Sequence, residues 1–322
     1  MDWAQLWEIV SLPDNIPIVG LAIFVPFFLW YGLRQSLATD RLIARLQADP
    51  QLAKTHHRKI EPYRKGWDLK LHVWPYLLRI EFLAAVIVTL ILMVWSITVN
   101  APLEEPANPN LTMNPAKAPW YFLGLQEMLV YFDPWIAGVV MPTLIILGLM
   151  AIPYADKNPL GNGYYTFRQR RFAILAFCFG FLVLWLSMIF IGTFIRGPGW
   201  MWFWPGETWD HHRLVFETNR DLHEVLGAWL KSLTGANPFT GQPWIGLLGA
   251  VAVGLYFFTA GWICHKFLVW TKFNRKIYSR MTLLQYLIYQ FFMTIMLALP
   301  VKMSLRLIFR IKYIWVTPWF NV

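Results

Sequence analysis

Asn114-Pro-Ala-Lys-Ala-Pro-Trp-Tyr-Phe-Leu-Gly-Leu-Gln-Glu-Met-Leu-Val-Tyr-Phe-Asp-Pro-Trp-Ile136 lies between two long apolar runs. That position puts it at or near a membrane surface, and it is too aromatic for a solvated linker. Pro119 pre-sets the first turn of a helix. Trp120 to Tyr131 then has no proline and a single glycine. The stretch predicts a short amphipathic helix folded back into the membrane interface. Trp120, Leu123, Glu127 and Tyr131 recur at spacings of three and four and share one face. A carboxylate set among aromatics at membrane depth is a candidate site for a small apolar molecule that exchanges protons.

Outward from that stretch, the chain reads as a membrane protein. Its 322 residues are 57% hydrophobic and 14% charged, where a soluble domain carries about a quarter charged. Charge-free runs cover residues 16–33, 82–99, 134–153, 172–195, 244–264 and 281–301. About 20 apolar residues span a bilayer, so the expected fold is all-α: a polytopic bundle of about six spanning helices with a short amphipathic helix in an outer loop. The net charge of +10 then reflects basic loops facing the cytoplasm, not nucleic-acid binding. Residues 1–73 read as an extra span plus a basic segment, 74–205 as a core, and 206–322 as an outer loop, two spans and a basic tail. Thr39 and Asp40 suggest a cap for a short helix carrying Leu42, Ile43 and Leu46.

The basic loops 34–72, 155–171 and 265–280 set the orientation. The N-terminus and the 100–133 and 197–243 loops are expected outside. Lys302, Arg306, Arg310 and Lys312 follow a sixth span that should also exit outside. An amphipathic tail helix on the outer surface is the expected resolution. No basic region precedes the first run, so no cleavable signal peptide is expected.

Absences narrow the chemistry. Cys178 and Cys264 each sit in an apolar run, and no C-x-x-C-H or paired zinc spacing exists. A covalent c-type haem and a metal site are not expected. Adjacent His56 and His57 read as solvated. The apolar runs contain no histidine, so a bis-histidine haem b is not expected on this chain alone. They contain no Asp, Glu, Lys or Arg either. Such residues cost about 2.5–3.5 kcal/mol at mid-membrane and mark ion paths, so a pump or transporter is disfavoured.

Residues 77–205 resemble the C-terminal half of cytochrome b, which exists as a separate subunit IV in cytochrome b6f complexes. The resemblance rests on a span, a loop with Pro106-x-x-Pro109 and Pro115, then Trp120-Tyr121-Phe122-Leu123, and two further spans. It implies that the loop and helix form a wall of an outer quinol-oxidation site. Pro119, Trp120, Tyr121, Phe122, Leu123, Tyr131 and Asp133 are then the quinol-binding candidates. The family motif Pro-Glu-Trp-Tyr reads Ala118, Pro119, Trp120 and Tyr121 here, so its proton-accepting glutamate is missing. That departure implies menaquinol over ubiquinol and leaves Glu127 as candidate proton acceptor. Glu127 pointing at headgroups or pairing with a Lys or Arg of a partner is the plain alternative, and Asp133 reads equally as a helix cap.

The resemblance further implies a subunit not active alone, in a bacterial cytoplasmic membrane among lipids, with the quinol-site loop on the periplasmic side. Expected partners are a haem-bearing, b6-like cytochrome b that carries the haems, a Rieske iron–sulfur protein and a cytochrome c, in a dimeric complex. The rival reading is a structural membrane anchor without a working quinol site.

Overall fold

The computed structural model describes residues 3–56, 73–100, 106–160, 164–212 and 219–322. His57 and the loop acids Glu104 and Glu105 lie outside these residues. Among the described residues, six helices are long and apolar enough to cross a membrane: Pro13–Ala48, Val73–Thr98, Ile136–Ala155, Phe167–Ile195, Gln242–Val269 and Leu283–Leu307. They are called the first to sixth spans below. The described residues contain no strand, so the fold is the all-helical, multi-pass arrangement implied by the apolar runs. Helices satisfy their own backbone groups, which a lipid environment requires. Large side chains such as Phe24, Phe28, Ile146 and Phe258 point outward along the spans.

The chain divides into two compact units. One comprises Thr39–Thr112 with Gly161–Tyr164. It holds the end of the first span, the second span and a short helix, Pro50–Thr55, capped by Asp49, whose carboxylate accepts from the Gln51 and Leu52 amides. The other comprises Met1–Ala38, Met113–Leu160 and Tyr165–Val322. It holds the third to sixth spans, a helix at Leu222–Thr234 and the short helix Trp120–Met128, called the site helix below. Met128, Tyr131 and Phe132 pack there with Ala137 of the third span, Leu184 and Met188 of the fourth and Leu299 of the sixth.

Three sequence expectations are corrected. Thr39 and Asp40 do not start a helix, because the first span runs unbroken to Ala48. Residues 34–48 contain no proline or glycine, and continuing the helical ladder costs less than opening a new terminus. The fifth and sixth spans also run past their charge-free stretches. They take in His265 and Lys266, and Lys302 and Arg306, respectively. Lys302 is 3% exposed. Its amine donates to the Lys312 carbonyl at 2.6 Å and lies 5.7 Å from both the Phe132 and Tyr313 ring centres. Carbonyl and ring faces thus compensate the burial of that charge.

The tail is the third correction. It forms no helix. Arg310 has φ of 57°, residues 311–313 pair with residues 220–222, and residues 314–322 fold back on themselves. The Lys312 amide donates to the Arg220 carbonyl and the Leu222 amide to the Tyr313 carbonyl, both at 2.8 Å. Trp315 packs so closely on Gly249 of the fifth span that a Cβ there would lie 2.4 Å from its Cδ1. The end of the sixth span therefore shares one end of this unit with the 220–222 segment.

Candidate functional site

The site helix begins abruptly. Pro119 precedes it with φ −52° and ψ 147°, and no side chain caps it directly. Gln126 does part of that work from inside the helix. Its Oε1 accepts from the Ala118 amide at 2.7 Å, and its Nε2 donates to the Ala116 carbonyl at 2.8 Å. The loop is thereby folded onto its own helix. Lys117 ties the same loop to the fourth span, donating to the Thr193 carbonyl at 2.8 Å and resting 4.8 Å from the Trp209 ring centre.

Against the fourth span the helix approaches closely. A Cβ at Gly192 would lie 2.9 Å from Leu123 Cγ. Small residues at such crossings let membrane helices pack backbone to backbone. Leu123 and Glu127, on one helical face, and Tyr131, in the turn just after the helix, face inward and are 2%, 0% and 1% exposed. Trp120, on the same predicted face, is half-buried.

Glu127 is held from four directions. Arg196 forks onto it, with Nη2 to Oε1 at 2.8 Å and Nε to Oε2 at 3.0 Å. The Tyr131 hydroxyl donates to Oε1 at 2.7 Å, and Trp200 Nε1 donates to Oε2 at 3.2 Å. Two carboxylate oxygens offer about four acceptor directions, and these donors fill them. Arg196 ends the fourth span, where a cation meets the exposed carbonyls of a helix C-terminus favourably. Its Nη1 donates to the Trp200 carbonyl at 3.1 Å, and its guanidinium lies 5.4 Å from the Trp202 ring centre. Burial works against the Arg196 charge, but the hydrogen bonds and charge of Glu127 outweigh it and hold the guanidinium above its ordinary value. Burial, reinforced by the neighbouring Glu127, holds the Tyr131 phenol far above its ordinary range, so it stays a donor.

The other candidates are placed elsewhere. Pro119, Tyr121 and Phe122 face outward, the last two being 51% and 54% exposed. Their rings touch, with centroids 4.9 Å apart. Asp133 caps the third span: its Oδ1 accepts from the Trp135 amide at 3.1 Å. The helix thus separates the candidates into an inner set, Leu123, Glu127 and Tyr131, and an outer set, Pro119, Tyr121 and Phe122. Beside it lies a depression of about 430 Å³ lined by residues 114–116, Gln126, Leu129, Val130, Gly199 and Trp200. Sequence reasoning missed Arg196, Trp200, Gln126 and Lys117. One signal was available: Arg196 is the first charge after a long apolar run and precedes the Gly197-Pro-Gly turn.

Burial lowers the Lys117 amine to about 8, with Glu127 acting in the opposite direction. Between that value and the ordinary 10.5 the unfolded chain binds more protons than the folded one, so stability rises with pH across the window. The heat-unfolding midpoint of the wild type should therefore rise relative to Lys117→Met between about pH 8 and pH 10. Parallel pH profiles for the two proteins would contradict this placement of the amine.

These features define a multi-pass helical membrane protein with a clamped interfacial helix at one end of its bundle. A family model described as cytochrome b(C-terminal)/b6/petD matches residues 106–194. The match takes in the loop, the site helix, the third span and nearly all of the fourth. The chain thus carries a segment similar to the cytochrome b C-terminal/b6 family, as the Trp120–Leu123 motif implied. That supports a role in membrane electron transport together with other subunits of a cytochrome bc-type complex. No solved structure matches the chain.

Proposed function

We propose that this chain is the subunit of a bacterial quinol:electron-acceptor oxidoreductase that forms one wall of the outer quinol-oxidation site, with menaquinol as substrate. The division of the site helix carries this reading. Its inner face is locked to the fourth span by Leu123 and the Glu127–Arg196 pair. Its outer face leaves Pro119, Tyr121 and Phe122 exposed. A fixed aromatic face suits a flat, apolar headgroup, which is how small-molecule sites gain affinity. The second wall, the haems and the electron acceptors come from partners in this scheme: a b6-like cytochrome b, a Rieske protein and a cytochrome c, in a dimeric complex of the bacterial inner membrane. The site-helix end of the bundle faces the periplasm.

Glu127 keeps two readings apart. In the arrangement described, its acceptor directions are filled, so it clamps the helix. It takes a quinol proton only when the Arg196 fork opens. Among the described residues the one span histidine is His265, and its Nδ1 is engaged by Tyr286. A bis-histidine clamp within these spans therefore lacks a second imidazole, and the haems are assigned to the partner.

Quinol oxidation by the assembled complex tests the proposal. Phe122→Ala removes about half of the exposed aromatic face and should raise KM for menaquinol about tenfold, with assembly intact. Unchanged kinetics for both Phe122→Ala and Tyr121→Ala would leave the anchor reading in its place.

A further inference from the structure

The fifth and sixth spans lie outside the matched segment, yet the faces they turn to each other are polar near one end. His265 Nδ1 on the fifth span is 3.0 Å from the Tyr286 hydroxyl on the sixth. One turn along the sixth span, Gln290 Nε2 donates to that hydroxyl at 2.7 Å. An amide nitrogen only donates, and a hydroxyl has one proton to give. With the amide this way round, a neutral His265 accepts the Tyr286 proton at Nδ1 and keeps its own on Nε2. These roles are assigned by the network. The hydrogen bonds all run one way, from amide to hydroxyl to imidazole.

The other end of the amide is unusual. Gln290 Oε1 is buried without a hydrogen-bond partner among the described residues, and so is the hydroxyl of neighbouring Tyr289, a side chain 7% exposed. Buried polar atoms are nearly always paired. The orphaned oxygen means that nothing holds the amide in one orientation. Turning it over breaks no second hydrogen bond and offers Oε1, in place of Nε2, to Tyr286.

We propose that His265, Tyr286 and Gln290 form a proton-binding site between the fifth and sixth spans, in which the hydrogen bonds reverse direction when His265 is protonated. The imidazole gains one proton and becomes a donor from both nitrogens. Nδ1–H then donates to the Tyr286 oxygen, Tyr286 donates to Gln290 Oε1, and no other covalent bond changes. The charge is met by hydrogen bonds that are stronger for being charge-assisted. The ligand is the proton itself, delivered from water at the end of the bundle where the Lys272–Tyr278 helix follows the fifth span.

The surrounding groups allow this. On its own span His265 has Cys264 and Lys266 as neighbours, the latter resting 5.5 Å from the Trp262 ring centre. The sixth span turns Tyr286 and Tyr289 towards it. The following helix brings Lys272, Arg275, Lys276 and Tyr278. Beyond Tyr278 lies the Arg170–Asp156 pair, closed at 2.7 Å. The Leu222–Thr234 helix, with His223, Glu224 and Lys231, packs at the opposite end of the fifth span. No carboxylate in this set is bonded to His265, so its charge state answers to the Tyr286–Gln290 pair. Plain helix–helix glue, the ordinary use of such groups in membranes, needs only one direction of bonding.

Infrared spectroscopy separates the two. The full-length protein, purified with its partners in lipid nanodiscs, carries ¹³C in its glutamine side-chain carbonyls, and Gln290→Leu assigns the Gln290 band. As pH falls through the range where histidine ordinarily ionises, the wild-type band should shift in step with His265 protonation followed by NMR. In Tyr286→Phe the band should stay put. A wild-type band that does not move as His265 protonates overturns the proposal, as does a His265 that takes up no proton. The wild-type measurement decides even if the variant fails to fold. Quinol turnover plays no part in the readout, so the result stands apart from the quinol-site reading.

Discussion

Glu127→Gln is expected to lower the stability of the folded subunit by about 3–5 kcal/mol, the usual cost of removing one partner from a buried ion pair. The reason is what it leaves behind. Arg196 is 2% exposed and Glu127 is 0% exposed, so an uncharged partner strands a guanidinium away from water. The neutral amide also turns a donor group towards the Arg196 fork and the Tyr131 hydroxyl, which both donate already. Replacing both members should cost less. Glu127→Leu with Arg196→Leu removes the stranded charge, and buried pairs exchanged for apolar residues are often near neutral. Detergent or heat unfolding of the two singles and the double gives the coupling directly. Additive losses, with no recovery in the double, would contradict the clamp. This effect also bears on kinetics: a slow Glu127→Gln complex counts as evidence about proton transfer only after its stability is matched to the wild type.

Gly192→Val should have the next largest effect. A single Cβ at Gly192 already meets Leu123 Cγ at 2.9 Å and Cδ2 at 3.2 Å. Leu123 is 2% exposed, so it has little space into which to retreat. Overpacking of this kind costs about 1–3 kcal/mol. Here it also pushes the site helix off the fourth span and moves the outer aromatic face with it. The expected result is a folded complex with a lowered unfolding midpoint and at least a tenfold loss in quinol kcat/KM, since small displacements of binding groups weaken catalysis steeply. Gly192→Val with wild-type kinetics would mean that the helix position does not matter to turnover.

Much of this arrangement was legible in the sequence. Six apolar runs gave six spans because length and composition alone decide crossing. The inward turn of Leu123 and Glu127 followed from their spacing. The legible part ended where distant segments meet. Arg196 lies 69 residues from Glu127 in sequence, and nothing local announces that pairing. The same limit hid Lys117, whose carbonyl partner Thr193 sits at the far end of the fourth span. The tail failed for another reason. Lys302, Arg306, Arg310 and Lys312 look amphipathic, but the helix ends at Leu307, and backbone pairing with residues 220–222 takes over. The cap signal at Thr39 lost to the continuing ladder of the first span. At the tail a local preference worth about 1 kcal/mol yielded to tertiary contacts, and at Thr39 a similar one yielded to the unbroken helix.

The central claim is that the outer face of the site helix touches quinol, and photoaffinity labelling tests it most directly. An azido-menaquinone analogue is illuminated with the intact complex in membranes, and labelled peptides are mapped by mass spectrometry. Label should appear within residues 119–129, on or beside Tyr121 and Phe122, and should fade when excess menaquinol competes. Competable label confined to other subunits, with none on this helix, would contradict the account.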